Sequence, residues 1–291
     1  MRKSPQTFTQ NKQVVRDLQC ETITKYFGQN LGTLTYFGLP SSSLDDVVQW
    51  AAFLRSITAV ERGENGKEWE LQHDLELQAF KYGLFDKLTL LRGDIDDILL
   101  LGKDSSGTKV VFPFDIVSLD YSGGLFYVIN DELRRLKAID SLFQSQSASG
   151  RNFLFFLSCN LDAVHQGELN NTFANIRTAL NRRGSNGNEV LNAFEKHPMD
   201  EARLKLYVPY AVNHFAAKSH FHCETQDVIF YTGNLKTRMM AFRFFAKYDS
   251  RTTAPREPRE RLAQIINAPL IEIVAGQQKV TTLGLPKVRS G

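Results

Sequence analysis

At 291 residues, 42% hydrophobic and 23% charged, with 21 phenylalanines, the chain can bury a sizeable core as one large α/β domain or two small ones. A formal charge of +3 is too small to imply a nucleic-acid partner by itself, and three scattered cysteines (Cys20, Cys159, Cys223) without a CxxC pair argue for reduced thiols rather than a disulfide framework. The first residues, MRKSPQTFTQNKQVV, lack the apolar core of a signal peptide and no apolar run reaches membrane-span length, so the expectation is a cytoplasmic protein with no membrane partner.

In chain order, Val14, Val15, Leu18, Ile23, Tyr26 and Phe27 recur at three- and four-residue spacing and predict a helix over 11–28. A short apolar strand follows at Thr33–Phe37. The turn Gly38-Leu39-Pro40-Ser41-Ser42-Ser43 leads to a helix reaching Leu54, with a serine before Leu44-Asp45-Asp46 as its N-cap. Strands at Ile57–Val60 and Leu88–Leu91 flank a helix over Trp69–Tyr82 that Gly83 stops. The apolar run Phe114–Leu119 is the fourth strand and ends on Asp120-Tyr121-Ser122-Gly123-Gly124; a helix over Asn130–Phe143 and a strand over Asn152–Leu157 follow. Strand and helix thus alternate as in a parallel sheet wound on both faces, which explains why NFLFFLSC is continuously apolar.

Beyond the fifth strand the text changes. Residues 160–200 are polar and predict a long loop with one or two short helices. A helix around Glu201–Ala217 precedes two strands, Asp227–Tyr231 and Met239–Tyr248, whose short connection makes them an antiparallel hairpin. The fold class expected is α/β: a doubly wound, mostly parallel, seven-stranded sheet closed by a C-terminal antiparallel hairpin. The expected division is an N-terminal helical segment over 1–29, a domain over 30–250, and a linker with an appendage over 251–291.

This order resembles the class I S-adenosylmethionine-dependent methyltransferase fold, in which a reversed hairpin closes a Rossmann-like sheet. Four stretches carry the likeness, each at the carboxyl end of a predicted strand, where an open α/β sheet binds its ligand. Leu34-Thr35-Tyr36-Phe37-Gly38-Leu39-Pro40-Ser41-Ser42 stands where the family has a glycine-rich turn, of which only Gly38 is kept. The resemblance implies that Tyr36, Gly38 and Pro40 shape a methionine pocket. Glu61 ends the second strand, 23 residues after Gly38, where the family places a carboxylate that accepts from ribose hydroxyls. Asp94 and Ile95 occupy the places of the adenine-binding acid and the apolar residue against the ring; aspartates at a helix start are also favoured by the helix dipole alone. Asp120 and Tyr121 end the fourth strand, where the family meets its substrate: Asp120 to orient a nucleophile or take its proton, Tyr121 to stack on a planar group. An ordinary reading makes Asp120 a helix cap and Tyr121 a core aromatic.

The function expected from this resemblance is methyl transfer with S-adenosylmethionine as cofactor. Residues 236–261 carry eight Lys or Arg against three acids, and Asn181-Arg182-Arg183-Gly184 adds a basic loop, which gives nucleic acid a lead as substrate. The rivals are a small-molecule methyltransferase with 160–200 as a lid, and a binding or scaffold protein that kept the fold without the chemistry. His220-Phe221-His222-Cys223 is too small a group for a metal site without further ligands. GxSxG, P-loop and GxGxxG patterns do not occur.

Overall fold

The computed structural model describes residues 10–41, 43–61, 68–126, 128–129, 132–161, 174, 177–178, 180–182, 184–195, 200–233, 236–251 and 258–281. Among these, nine strands form one sheet: β1 (Leu34–Gly38), β2 (Leu54–Glu61), β3 (Leu88–Arg92), β4 (Ile116–Asp120), β5 (Phe153–Asn160), β6 (Phe221–Thr232), β7 (Arg238–Tyr248), β8 (Leu270–Val274) and β9 (Gln277–Thr281). Their spatial order is β9-β8-β6-β7-β5-β4-β1-β2-β3. Pairing is parallel from β3 through β5; β7 runs against both β5 and β6; β8 is again parallel to β6, and β9 turns back on β8.

Eight helices are described: α1 (Gln10–Phe27), α2 (Asp45–Trp50), α3 (Glu68–Lys81), α4 (Ile95–Leu101), α5 (Arg134–Ser147), α6 (Ser185–Glu195), α7 (Asp200–Lys218) and α8 (Pro258–Asn267). Strand periodicity sorts the core into two layers. On one face Tyr36, Ile57, Ile116 and Phe156 pack with Ile23 of α1, Trp50 of α2, and Leu75 and Ala79 of α3. On the other, Phe37, Val117, Leu119 and Phe155 pack with Ile98 of α4, Ile139 and Phe143 of α5, Val208 and Val212 of α7, and Ile265 of α8. A third cluster continues the first face outward, where Val15 and Leu18 of α1 meet Ile229, Tyr231, Ala241, Ile271 and Ile273. Seven of the eight residues of β5 are buried, as a central strand covered on both sides requires.

Two expectations are corrected. The sheet has nine strands rather than seven, because part of the C-terminal segment (β8 and β9) pairs onto the outer edge of β6. Leu270, Ile271 and Ile273 are buried there, so this short apolar run completes the sheet. The N-cap of α2 is Leu44 in left-handed conformation (φ 55) without a side-chain cap, while Ser43 donates from its hydroxyl to Asp45 at 2.7 Å. Asp45 and Asp46 in the first turn are instead ion-paired by Arg16 of α1. About half of the predicted lid over 160–200, including 162–173, lies outside the described residues, and α6 lies within them.

Candidate functional site at the strand ends

β1, β2, β3, β4 and β5 are parallel, so their carboxyl ends share one rim, and β1 and β4 are neighbours although helices on opposite faces follow them. This is the point where the winding reverses, the place at which open α/β sheets hold ligands. Backbone register puts Gly38 opposite Ser118, Glu61 opposite Arg92, and Asp120 opposite Ser158 along that rim.

At the switch the two strands approach closely. A Cβ on Gly38 would lie 2.0 Å from the Ser118 carbonyl oxygen and 2.9 Å from the Tyr36 hydroxyl, so the position is closed to any other residue. The Leu39 amide donates to the same Ser118 carbonyl at 3.0 Å. Tyr36 itself is fully buried, its ring 6.0 Å from that of Trp50. Its hydroxyl sits near Ser118 without a well-formed hydrogen bond, and burial pushes it well above the usual phenol range. Pro40 and Ser41 are buried beside it in the turn.

Glu61 and Asp94 are half-buried at the ends of β2 and β3. Asp94 is the N-cap of α4, its carboxylate accepting from the Asp96 amide at 2.8 Å. Ile95 behind it is 5% exposed and belongs to the core. The register brings Gly38, Glu61, Asp94 and Asp120 to one rim.

It does not bring Asp120 and Tyr121 together. Successive residues of a strand point to opposite faces, and here Asp120 turns toward α1 while Tyr121 turns toward α4 and α5. Tyr121 is 3% exposed; its hydroxyl donates to Asp96 at 2.8 Å, and the Arg135 guanidinium lies 4.6 Å from its ring centre. Arg135 also donates to the Gly124 carbonyl and faces Asp96 at 3.7 Å, fixing the Gly123-Gly124 loop. Burial raises the Asp96 carboxyl above its ordinary value, and the Tyr121 hydroxyl opposes that rise. Burial, then the Asp96 charge, raises Tyr121 well above the ordinary phenol value.

Asp120 carries a partner that sequence reasoning missed. Lys12, near the start of α1, reaches the rim and its ammonium donates to Asp120 Oδ2 at 2.7 Å. The Asp120 charge is the main reason that Lys12 titrates above its ordinary value, with burial working against it. The two residues are 108 positions apart in sequence, and a lysine on a helix gives no local sign of such a pairing. Among the described residues no group of three or more His, Cys, Asp or Glu is arranged to hold a metal ion, and no helix is long and apolar enough to cross a membrane.

No family model matches the chain, and no curated protein matches it. Among solved structures, the O-methyltransferase TomG from Streptomyces achromogenes, involved in tomaymycin synthesis and in complex with S-adenosylmethionine, is 10% identical with a TM-score of 0.43, over 84% of this chain and 82% of that one. An O-methyltransferase from Bacillus cereus in complex with S-adenosylhomocysteine is 9% identical with a TM-score of 0.41, over 82% and 91%. With an S-adenosylmethionine-dependent methyltransferase from Clostridium acetobutylicum the identity is 14% and the TM-score 0.36, and only half of each chain is covered, 51% of this one and 50% of that one. The order β3-β2-β1-β4-β5, closed by a hairpin whose reversed strand β7 lies between β5 and β6, is the arrangement of the class I methyltransferase fold.

Proposed function

We propose that the chain transfers a methyl group from S-adenosylmethionine, bound across the rim at the β1/β4 switch. The observation that carries this reading is the strand order, with β7 reversed between β5 and β6. Fold alone does not make an activity, so the residues at the rim have to suit the cofactor. Glu61, at the end of β2, would accept from the ribose hydroxyls, since a carboxylate offers two acceptor oxygens side by side. Asp94 would accept from the adenine amino group, with Ile95 behind it as apolar backing. Gly38 and Pro40 would border the methionine end, with Tyr36 as the floor below them. The turn supplies few donors, because the Leu39 amide is taken by Ser118 and Pro40 has none. The carboxylates suit the nucleoside better than the turn suits the amino-acid end.

When bound, the cofactor supplies a methyl group on a sulfonium. The protein's part in such a displacement is alignment, and for some nucleophiles a proton acceptor. Asp120 would be the residue to meet an acceptor group; Tyr121, turned into the other layer, would support the loop 122–124 from below. We assign Asp120 to orienting the acceptor, because its Oδ2 already accepts from Lys12.

For the acceptor molecule, a nucleic acid is supported by Lys236 and Arg238, both exposed at the rim end of the β6–β7 hairpin. A small molecule is supported by the fate of the other cations: Arg243 is buried against Asp227, and Lys247 and Arg251 lie at the far end of the hairpin. Gel-shift assays over a salt series separate the two. Retardation that weakens steeply with salt supports nucleic acid; no retardation at low salt removes it. The third reading, a non-catalytic binding protein, draws on the Lys12–Asp120 pair and is decided by cofactor binding. Calorimetric titration with S-adenosylmethionine and S-adenosylhomocysteine should give saturable binding; none at millimolar concentration leaves the non-catalytic reading.

A further inference from the structure

We propose that Lys12 is a positioning residue of the rim site: carried there by α1, and with α1 anchored by the β8–β9 turn, its ammonium holds and neutralises the Asp120 carboxylate, so that the site does not select its ligand by positive charge. This rests on the cofactor reading above, and the residues that it adds, Asn11 and Lys12 of α1, are ones that the resemblance does not reach.

The geometry is a chain of three contacts. Asn11 Oδ1 accepts from the Gly276 amide at 2.8 Å in the β8–β9 turn, and Asn11 Nδ2 donates to the Thr232 carbonyl at 2.9 Å at the end of β6. Both contacts lie on the same rim as Asp120, because β6 and β8 run parallel to β4. Lys12 is the next residue, and it reaches Asp120 at 2.7 Å with the two side chains only 26% and 19% exposed. One turn further along α1, Arg16 is buried against Asp46 and Asp45 of α2, so the helix is held on both sides of Lys12. The late strands of the chain thereby fix the residue that faces the end of β4.

The charge balance gives the functional consequence. A half-buried carboxylate at the rim, left alone, would attract a sulfonium more than the neutral thioether that remains after transfer. With Lys12 on Oδ2 the pair is neutral, and the charge difference between cofactor and product is little felt. Removing the cation should therefore favour S-adenosylmethionine over S-adenosylhomocysteine, and removing the anion should do the opposite.

The test uses the full chain, with calorimetry for both molecules and competitive acetylation of lysines by acetic anhydride read by mass spectrometry. Relative to wild type, Lys12→Met should raise the preference for S-adenosylmethionine about three- to tenfold, Asp120→Asn should lower it by a similar factor, and Lys12→Arg should stay within about twofold. Damage to packing would not move the ratio in opposite directions for the two variants. Lys12 should be acetylated slowly beside exposed Lys247, and several times faster in Asp120→Asn and in Asn11→Ala. Ratios unchanged in both variants, or shifted the same way, overturn the proposal while leaving cofactor binding intact. Acetylation of Lys12 unchanged in Asp120→Asn overturns the ion pair itself. If wild type binds neither molecule, the function proposed above fails and charge selection fails with it; the acetylation rates still decide whether Lys12 holds Asp120.

Discussion

At the residue scale, two positions near the rim are fixed by physics that does not depend on any ligand. Gly38 is held by the close approach of β4, so Gly38→Ala must push β1 away from the Ser118 carbonyl. Overpacking of this kind costs about 3 kcal/mol, and against backbone the upper end is expected. Urea unfolding should show it as a lower midpoint at unchanged slope. Asp96 offers a second check. Its carboxyl is raised above the ordinary carboxylate value mainly by burial, so the folded state holds its proton more tightly than the unfolded chain does. Stability is then highest below the unfolded value and falls as the pH rises from there through the folded value. Asp96→Asn should remove that step from a plot of stability against pH. Tyr121→Phe strips the hydroxyl that counteracts burial, so the Asp96 carboxyl should titrate higher still, as carbon NMR of the carboxyl would record. Its carboxyl moving down, or staying put, would contradict the assigned bond.

At the element scale, α1 is bound to the sheet by a buried ion pair. Arg243 on β7 donates to both carboxylate oxygens of Asp227 on β6, and its remaining nitrogen reaches the Leu18 carbonyl and Thr22 on α1. Asp227→Ala leaves a guanidinium in the interior, and breaking such a pair from one side costs about 3–5 kcal/mol. Replacing both partners by apolar residues should cost much less, a difference that a double-mutant cycle measures. The same arrangement shows what was legible in the text. The helix over 11–28 was readable because Val15, Leu18 and Ile23 repeat on one face, and they do face the core. Arg243 read as one of a run of basic residues, whereas the strand turns it inward onto an acid sixteen residues earlier. Alternation says which residues share a face; it does not say which face a helix will cover.

At the scale of the whole molecule, the sheet continues past the reversed hairpin. The segment LIEIV has only five residues and follows a proline- and charge-rich stretch, so it reads as a tail until β6 offers it an edge. Deleting residues 258–291 should expose that edge together with Ile229 and Tyr231. The expected result is association or loss of soluble protein in size-exclusion chromatography; a monomer of unchanged melting temperature would show that the extension is not part of the folded unit. The fold class was legible because parallel strands alternate with helices and carry unbroken apolar runs. The rim was legible too, since strand ends can be counted. The pairing at the rim was not, because Lys12 reaches Asp120, and Asn11 beside it reaches Gly276, only when the first helix, the fourth strand and the last turn are assembled.

Titration of the intact chain with S-adenosylmethionine, beside a Glu61→Ala variant, tests the central claim most directly. The account predicts one saturable site in the wild type and an affinity at least about tenfold lower in the variant, the effect of losing hydrogen bonds to a charged acceptor. Equal affinity in the two proteins, or no heat of binding from either at millimolar cofactor, would contradict it.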